Sequence, residues 1–332
     1  MKVADMHCDT ILEIYYKQDN GEKAALREND FHLDLKRMMK GDYLIQNFAL
    51  FVYLGEERTG DPFTFGMKML DVFYNEMEKN QDIITQVRSY NDIEKNMRDG
   101  KMSAMLTLEE GAVCKGNVRL LRDFYRLGAR MMTLTWNFPN ELAYPANVTS
   151  GEYKGKRFDD DGYGLTETGI EFIEEMERLG MIIDVSHLND PGIRNILSHT
   201  KKPFVASHSN ARAVCSHPRN LPDDLIKGIA ERGGVMGINY CPSFLRDWKE
   251  EEHKISRVED MVRHIKHMRN LGGIECIGLG SDFDGIEGEL EIASASDMPV
   301  LEKALHKAGF TASEIEAIFY KNVLRLYKEV LG

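Results

Sequence analysis

Eight short apolar runs, separated by stretches whose apolar residues recur at helical spacing, constrain the fold of this chain more than any other feature. Buried strands that alternate with amphipathic helices are typical of a parallel sheet with crossover helices. The runs occupy 2–9, 44–52, 102–108, 129–135, 181–185, 203–207, 234–238 and 276–281. Eight strands close a (β/α)8 barrel, which needs about 250 residues plus insertions. Because the chain has 332 residues, we predict an α/β fold, a (β/α)8 TIM barrel, formed by 1–332 as a single domain.

Two connections between these runs are longer than a barrel requires. The polar stretch 53–100 separates the second and third runs, and the apolar spacing in 67–77 and 92–97 predicts helices there. We therefore expect a helical insertion after strand 2. The stretch 138–166 is rich in Asn, Gly, Tyr and Asp, which predicts a long loop after strand 4. In a barrel that loop lies on the face that carries the active site.

The balance of charge and hydropathy excludes several classes of partner. The chain has 42 Lys and Arg against 54 Asp and Glu, a formal net charge of −12. Nucleic-acid binding needs clustered basic residues, so we expect no nucleic-acid partner. The sequence begins MKVADMHCDT, without an apolar signal region, and has no continuous apolar run of about 20 residues. We therefore expect a cytoplasmic protein that is not attached to a membrane.

The cysteines do not have the spacing of a disulfide framework or of a cysteine-ligated zinc site. They are odd in number, far apart and without a C-x-x-C pair. They are Cys8, Cys114, Cys215, Cys241 and Cys276. A metal site in this chain would therefore have to use nitrogen and oxygen ligands.

Such ligands occur at the carboxyl-terminal ends of the predicted strands, where the loops of a barrel converge on its active site. They are His7 and Asp9, Glu109, His187, His208 and Asp282, after the first, third, fifth, sixth and eighth runs respectively. Three imidazoles and three carboxylates suit Zn²⁺, with Mn²⁺ or Co²⁺ as substitutes. A single catalytic zinc usually takes three protein ligands, so six such groups predict two ions, about 3.5–4 Å apart.

Three further polar residues need a separate interpretation. Asp184 also lies near a strand end, and its neighbours leave open whether it faces the helices or the barrel mouth. His264 and His267 fall on the charged face of a helix predicted over 257–271. We expect both histidines to be solvated.

At these same positions the chain resembles the membrane dipeptidase (renal dipeptidase) family, zinc peptidases of the amidohydrolase-like metal barrels. The similar segments run almost from end to end, and their order agrees with the strand pattern. They are DMHCD (5–9), LEEG (108–111), LGAR (127–130), TLT (133–135), IDVSH (183–187), SHS (207–209), RNLPD (219–223) and GSDFDG (280–285).

The resemblance implies a binuclear zinc centre in the barrel mouth. One ion would be held by His7 and Asp9, the other by His187 and His208, and Glu109 would bridge the two. Glu110 is the rival for the bridging position, and we prefer Glu109 because ungapped spacing to the LGAR and TLT segments favours it. Asp282 would act in catalysis with Glu109, taking a proton from the bridging water and passing it to the leaving amine.

The resemblance also implies the residues that contact the substrate. Arg219 would bind the free carboxylate, because a guanidinium fork makes two parallel charge-assisted hydrogen bonds. His208 and Asn137 would contact the rest of the substrate. Many members of the family have a histidine directly after the Leu-Thr of strand four, where this chain has Trp136-Asn137. An asparagine donates a hydrogen bond, but it does not carry a proton.

We therefore expect a zinc-dependent dipeptidase that cleaves dipeptides through a metal-bridging hydroxide, including those with a C-terminal D-residue. A homodimer is compatible with the resemblance. One alternative is a related binuclear metal amidohydrolase that acts on a non-peptide amide or lactone, and the Arg219 segment argues against it. A descendant that only binds metal or peptide would not need Asp282 as a proton carrier. Elemental analysis would exclude a metal-free structural barrel.

Overall fold

The apolar runs form parallel strands of one closed barrel in the computed structural model, which describes residues 1–55 and 60–332. Within these residues the eight barrel strands are β1 (Val3–Asp5), β2 (Tyr43–Phe51), β3 (Met102–Glu109), β4 (Ala129–Thr133), β5 (Ile182–Asp184), β6 (Val205–Ala206), β7 (Val235–Ile238) and β8 (Ile277–Leu279). Neighbours follow chain order, and β1 pairs with both β2 and β8. The predicted (β/α)8 architecture is confirmed.

The helices alternate with these strands. The described residues contain α1 (Thr10–Asp19), α2 (Leu35–Lys40), α3 (Pro62–Lys79), α4 (Tyr90–Asp99), α5 (Val118–Arg126), α6 (Glu167–Leu179), α7 (Asp190–His199), α8 (Asp223–Glu231), α9 (Pro242–Leu245), α10 (Val258–Gly272), α11 (Met298–Lys307), α12 (Ala312–Glu316) and α13 (Asn322–Leu331). A π-helical turn, Ala317–Lys321, joins the last two. Among the described residues, no helix has the length and apolar character needed to cross a membrane.

The insertion after β2 contains the predicted helices, each longer than its apolar spacing indicated, as α3 and α4. Between them lies a short strand, Ile84–Gln86, which the sequence pattern did not predict. It pairs in parallel with the first residues of β3, whereas β4 pairs with β3 only from Leu106 onward. The insertion therefore covers the part of β3 that β4 does not reach.

Six of the barrel strands end earlier than their apolar runs, and for β1 and β5 the reason is local. The carboxylate of Asp5 accepts from the backbone N–H of His7, and that of Asp184 accepts from the N–H of Ser186. Each carboxylate binds a backbone N–H group that would otherwise form the next hydrogen bond between the strands. His7 and Asp9 consequently lie beyond β1, although the run 2–9 included both.

Apolar residues form two cores, one on each side of the barrel wall. One core lies between the strands and the surrounding helices and includes Phe48, Leu106 and Ile238. The other contains side chains from seven barrel strands together with residues of α13. It includes Ala4, Met6, Ile45, Met105, Met131, Ile182, Val205, Val235, Val323, Tyr327 and Val330. Because alternate strand residues point to opposite faces, this second core fills the barrel, and α13 closes its amino-terminal end.

The long loop after β4 is anchored beside the barrel mouth. Asn189 caps the first turn of α7 by accepting from the N–H of Gly192. Its amide group donates to the carbonyls of Phe158 and Tyr163 in the loop. Since His187 lies two residues before this cap, the loop and the end of β5 are held as one unit.

Candidate active site

Glu109, the last residue of β3, lies at the centre of the barrel mouth and is buried. Its Oε2 is 3.2 Å from His7 Nε2, and its Oε1 is 3.1 Å from His187 Nε2 and 3.7 Å from His208 Nε2. The two imidazoles on the Oε1 side approach each other to 3.0 Å between their Nε2 atoms. The two oxygens of one carboxylate therefore face two different groups of nitrogen atoms.

Two further carboxylates lie beside His7. Its Nε2 is 3.4 Å from Asp9 Oδ2 and 3.7 Å from Asp282 Oδ1. The possible ligand atoms of His7, Asp9 and Asp282 lie within 4.8 Å of one another, and so do those of His7, Glu109 and His208. The structure thus brings together all six residues that the sequence placed at strand ends.

Two polar atoms at this centre lack the hydrogen bonds that burial normally requires. Among the described residues, His7 Nε2 and Asp9 Oδ1 are buried without a hydrogen-bond partner. A buried polar group left unpaired costs about 1–3 kcal/mol. A divalent cation would satisfy both atoms, and the imidazole and carboxylate set has the chemistry that zinc prefers. The residues therefore fit a metal centre.

The outer nitrogens of two imidazoles are held by hydrogen bonds. His187 Nδ1 is 3.0 Å from Asn137 Oδ1, and His208 Nδ1 is 2.8 Å from Ser207 Oγ. An amide oxygen only accepts hydrogen bonds, so His187 donates from Nδ1. Its Nε2 is then the unprotonated nitrogen, whose lone pair is available to a metal. Asn137 also lines the cavity above the centre.

Burial and neighbouring charge set the protonation of the imidazoles. Burial, together with the positive charge of Arg219 and His7, holds the pKa values of His187 and His208 well below the ordinary value. At His7 burial acts in the same direction, but the carboxylates of Glu109 and Asp9 outweigh it and raise its pKa. Burial raises the pKa of Glu109 to about 8. A cation bound here would reduce the electrostatic repulsion between the neighbouring carboxylates.

Glu110, the rival of Glu109, is turned away from the centre. Its backbone has a φ of 119°. Its buried carboxylate accepts from the backbone N–H groups of Ala112 (2.9 Å) and Trp136 (3.0 Å) and from the amide of Asn140. Glu110 therefore holds the chain that follows β4, and Glu109 is the glutamate that faces the histidines.

Asp282 follows β8 in a conformation that non-glycine residues rarely adopt, with φ 61°. Asn239 donates from its amide to Asp282 Oδ2 at 2.9 Å, which leaves Oδ1 toward His7. Burial raises the pKa of the Asp282 carboxyl group. A Cβ at Gly285 would lie 2.1 Å from Asp9 Oδ2 and 2.7 Å from Asp282 Oδ1. Gly285 is therefore required for the two carboxylates to lie where they do.

Arg219 is buried at one side of the same cavity, whose volume is about 760 Å³. Its Nη1 is 3.4 Å from Ser209 Oγ. Within the described part of the chain, its Nε and Nη2 have no hydrogen-bond partner. Burial lowers its pKa to about 10, so the guanidinium remains charged at neutral pH. A buried cation that lines a cavity and has unpaired donors suits an anionic ligand group.

Two aspartates that the sequence left unassigned support this site from below. Asp184, whose direction was open, is buried and accepts from Thr133 Oγ1 (2.7 Å), Ser207 N (2.8 Å) and Ser207 Oγ (2.6 Å). Asp5 accepts from the backbone N–H of Ser281 at 2.9 Å and from its hydroxyl at 2.6 Å. The sequence showed only proximity, since each aspartate precedes a site histidine by two or three residues; it did not show that their side chains point toward the site.

The expectation that His264 is solvated is wrong. It is buried on α10, with Nδ1 accepting from Ala211 N–H at 3.1 Å and Nε2 donating to Leu245 O at 3.0 Å. Burial lowers its pKa to about 4. His267 lies at the surface beside Asp223, 2.8 Å away. Helical spacing alone did not show that the chain around Ala211 covers the face carrying His264.

Comparison with known proteins shows the family to which this chain belongs. A sequence model of the family described as membrane dipeptidase (peptidase family M19) matches residues 1–331. An uncharacterized protein encoded in the pqqA 5′ region of Klebsiella pneumoniae is 34% identical over 273 residues, which cover 82% of this chain and 98% of that protein. An uncharacterized dipeptidase of Schizosaccharomyces pombe is 31% identical over 346 residues, covering 99% of this chain and 80% of that protein.

Solved structures show the same relationship. A metallopeptidase of family M19, the dipeptidase AC, superposes with a TM-score of 0.89 at 27% identity, covering 100% of this chain and 99% of that one. A metallopeptidase from Rhodobacter sphaeroides, liganded with a phosphinate mimic of the dipeptide L-Ala-D-Ala, has a TM-score of 0.87 at 25% identity and covers 99% of both chains. The chain therefore belongs to the membrane dipeptidase family, peptidase family M19, and is a metal-dependent hydrolase of the peptide bond in dipeptides.

Proposed function

We propose that this enzyme is a zinc dipeptidase with two ions in one centre, held by His7 and Asp9 on one side, by His187 and His208 on the other, and by Glu109 between them. The observation that carries the proposal is the direction of the Glu109 oxygens, 3.2 Å from His7 Nε2 on one side and 3.1 Å from His187 Nε2 on the other. When bound, such ions lower the pKa of a water molecule and polarise the substrate carbonyl.

Asp282 moves the proton in this proposal. One of its oxygens is fixed by the amide of Asn239, and the other faces the centre beside His7. That oxygen is placed to take the proton released by the attacking water and to deliver it to the amine of the leaving residue. Asn137 lines the cavity above the centre, and in this proposal it contacts the substrate together with His208.

Arg219 binds the carboxylate of the C-terminal residue. Its unpaired Nε and Nη2 offer the two parallel donors that a carboxylate accepts. Because Arg219 is buried and lines the cavity that Glu109 and Asp282 also line, the anchored carboxylate lies close to the reacting bond. This limits the carboxyl-terminal side of the substrate to a single residue.

The proposal includes dipeptides whose C-terminal residue has D-configuration. The Rhodobacter sphaeroides metallopeptidase, 25% identical to this chain, is liganded with a phosphinate mimic of L-Ala-D-Ala. The carboxylate anchor recognises a group that L- and D-residues share, so it does not by itself select between them.

Elemental analysis of the purified protein, followed by peptide assays, tests this function. We expect two zinc ions per chain, loss of activity on chelation, and recovery with Zn²⁺, Mn²⁺ or Co²⁺. Both L,L- and L,D-dipeptides should release two amino acids, and tripeptides should not be cleaved at a comparable rate. Full activity in metal-free protein, or equal cleavage of tripeptides, would contradict the proposal.

A further inference from the structure

A second cavity, of about 1070 Å³, opens beside the active site. Among the described residues, six aromatic side chains line it, and we call it the aromatic annex. Four of their rings contact one another: Phe51, Tyr53, Trp136 and Phe138. Two of these pairs pack edge to face, with 4.8 Å between the ring centres of Phe51 and Trp136 and 5.3 Å between those of Tyr53 and Phe138. Such a wall suits a large apolar or aromatic group.

The aromatic annex is continuous with the active-site cavity. Leu12, Glu13, Phe51 and Trp136 line both spaces. The ring of Trp136 also lies 5.8 Å from the ring of His187, measured between centres. A substrate can therefore extend from the active-site cavity into the annex without a break.

The position of Arg219 decides which end of a substrate faces the annex. The active-site cavity is lined at one end by Arg219, His217 and Phe244. These three are not among the described residues that line the annex. A substrate whose carboxylate lies on Arg219 has its carboxyl-terminal residue at that end. Its amino-terminal residue consequently lies on the side of Trp136 and Phe51.

We propose that the aromatic annex binds the side chain of the amino-terminal residue and selects bulky apolar and aromatic side chains there. This inference rests on the proposed dipeptidase function. The carboxylates of Glu13 and Glu152 also line the annex, so acidic side chains are disfavoured by like charge. Because Arg219 holds the carboxyl-terminal residue by its carboxylate and not by its side chain, specificity is stricter at the amino-terminal residue.

Steady-state kinetics on two matched dipeptide series test the proposal. In the first series the amino-terminal residue is Ala, Leu, Phe, Trp or Glu, followed by Ala, and the second series has the reversed order. We expect kcat/KM for Phe-Ala to exceed that for Ala-Ala by at least about tenfold, because burial of a large apolar side chain contributes about 1.5–3 kcal/mol. Glu-Ala should be the poorest substrate, and the reversed series should vary less.

Two variants change the annex in opposite ways. Phe138→Ala removes part of the wall, and Leu54→Trp fills the space; each should reduce the ratio of kcat/KM for Phe-Ala to that for Ala-Ala. Phe63→Ala is the matched control, since its ring packs on Phe124 at 6.0 Å and does not line the annex. Its ratio should equal that of the parent enzyme. Metal content and thermal melting of each variant show whether the centre and the fold are retained.

The outcomes separate this inference from the function on which it rests. Cleavage of both series with equal efficiency, or an unchanged ratio in folded Phe138→Ala and Leu54→Trp enzymes, would overturn the annex as a side-chain site and leave the dipeptidase intact. If no dipeptide of either series is cleaved by metal-loaded enzyme, the proposed function and the annex are both wrong.

Discussion

Glu109 and Glu110 are chemically identical neighbours with different environments. Glu109 lies between imidazole nitrogens at the barrel mouth, whereas Glu110 accepts hydrogen bonds from two backbone amides and from Asn140. The difference arises from the backbone at Glu110, whose φ of 119° turns its side chain away from the centre. A single residue conformation thus decides which carboxylate is available to a metal.

Substitution of each glutamate by glutamine should separate the two roles. Glu109→Gln should lose metal, because an amide is a poor zinc ligand and lacks the negative charge. Glu110→Gln should keep the metal and lower the free energy of unfolding by about 1–3 kcal/mol, since its NH₂ group would face a backbone donor. Metal content and urea denaturation of both variants measure this. A metal-free Glu110→Gln protein that is as stable as the parent would reverse the assignment.

Asp282→Asn should retain the metal and lose most turnover. The amide keeps an oxygen for Asn239 but does not take up a proton, and general acid–base catalysis contributes about 10²–10⁴ to a rate. The comparison is kcat against metal content in the same preparation. If fully metal-loaded Asp282→Asn turns over at the parent rate, Asp282 has no part in proton transfer.

Arg219→Ala should raise KM for dipeptides with a free carboxylate by at least about tenfold, because a hydrogen bond to a charged group contributes about 1.5–3 kcal/mol. Arg219→Lys keeps the charge without the planar fork and should recover only part of the loss. The parent enzyme should discriminate against C-terminally amidated dipeptides by a similar factor. Equal cleavage of amidated and free dipeptides by the parent enzyme would show that Arg219 does not bind the substrate carboxylate.

At the scale of elements, the strands position the site through their ends. Asp5 closes β1 and Asp184 closes β5, and each binds a serine that follows a neighbouring strand. Ser207 in turn contacts His208 Nδ1 at 2.8 Å. The direction of the site histidines is thus linked to the register of adjacent strands. An ordered barrel is therefore a precondition for the metal centre.

The contact between α10 and the segment that precedes Arg219 should make stability depend on pH. The neutral ring of His264 both accepts from Ala211 and donates to Leu245, and burial lowers its pKa from 6.5 to about 4. Because the pKa is lower in the folded than in the unfolded state, this contribution is present above about pH 6.5. It decreases as the pH falls toward 4, by up to about 3 kcal/mol.

Urea denaturation at pH 7.5 and at pH 5 measures this dependence. The parent protein should lose more stability between the two values than His264→Gln does. His267→Gln is the matched control on the same helix and should behave like the parent, because its ring is partly exposed. Other buried histidines titrate in all three proteins, so the difference reports His264. An identical decrease in the parent and in His264→Gln would refute the explanation.

At the scale of the whole molecule, one end of the barrel carries the active site and the other contributes to stability. The carboxyl-terminal ends of the strands carry the polar centre, and the amino-terminal ends are closed by α13. Tyr327 of α13 reaches into the barrel, where its hydroxyl is 2.7 Å from the side-chain amide of Asn47 on β2. The end opposite the site therefore serves stability.

Tyr327→Phe should lower the free energy of unfolding by about 1–3 kcal/mol, because the buried amide of Asn47 loses its partner. The half-buried Tyr320 offers a matched control, and Tyr320→Phe should change stability by less than about 0.5 kcal/mol. Folded Tyr327→Phe enzyme should keep the parent kcat and metal content. Equal stability of the two variants would show that the hydrogen bond inside the barrel contributes nothing.

Several features were predictable because they depend on local pattern. Alternating apolar runs predicted the eight barrel strands, and the positions of His187 and His208 after two of them predicted their place at the mouth. The short strand Ile84–Gln86 was missed because three residues are too few for a periodic pattern. His264 was misassigned because its helix is covered by a segment more than forty residues away in sequence, through Ala211.

The sequence by itself determined the order of strands and helices and the residue types at the strand ends, because periodicity and composition act over a few neighbouring residues. Only the tertiary structure decided that Glu109 faces the histidines, that Asp5 and Asp184 lie beneath them, and that an aromatic annex adjoins the site. These features depend on distances and burial between residues remote in the chain. Closure of the barrel sets those distances, and no local pattern encodes them.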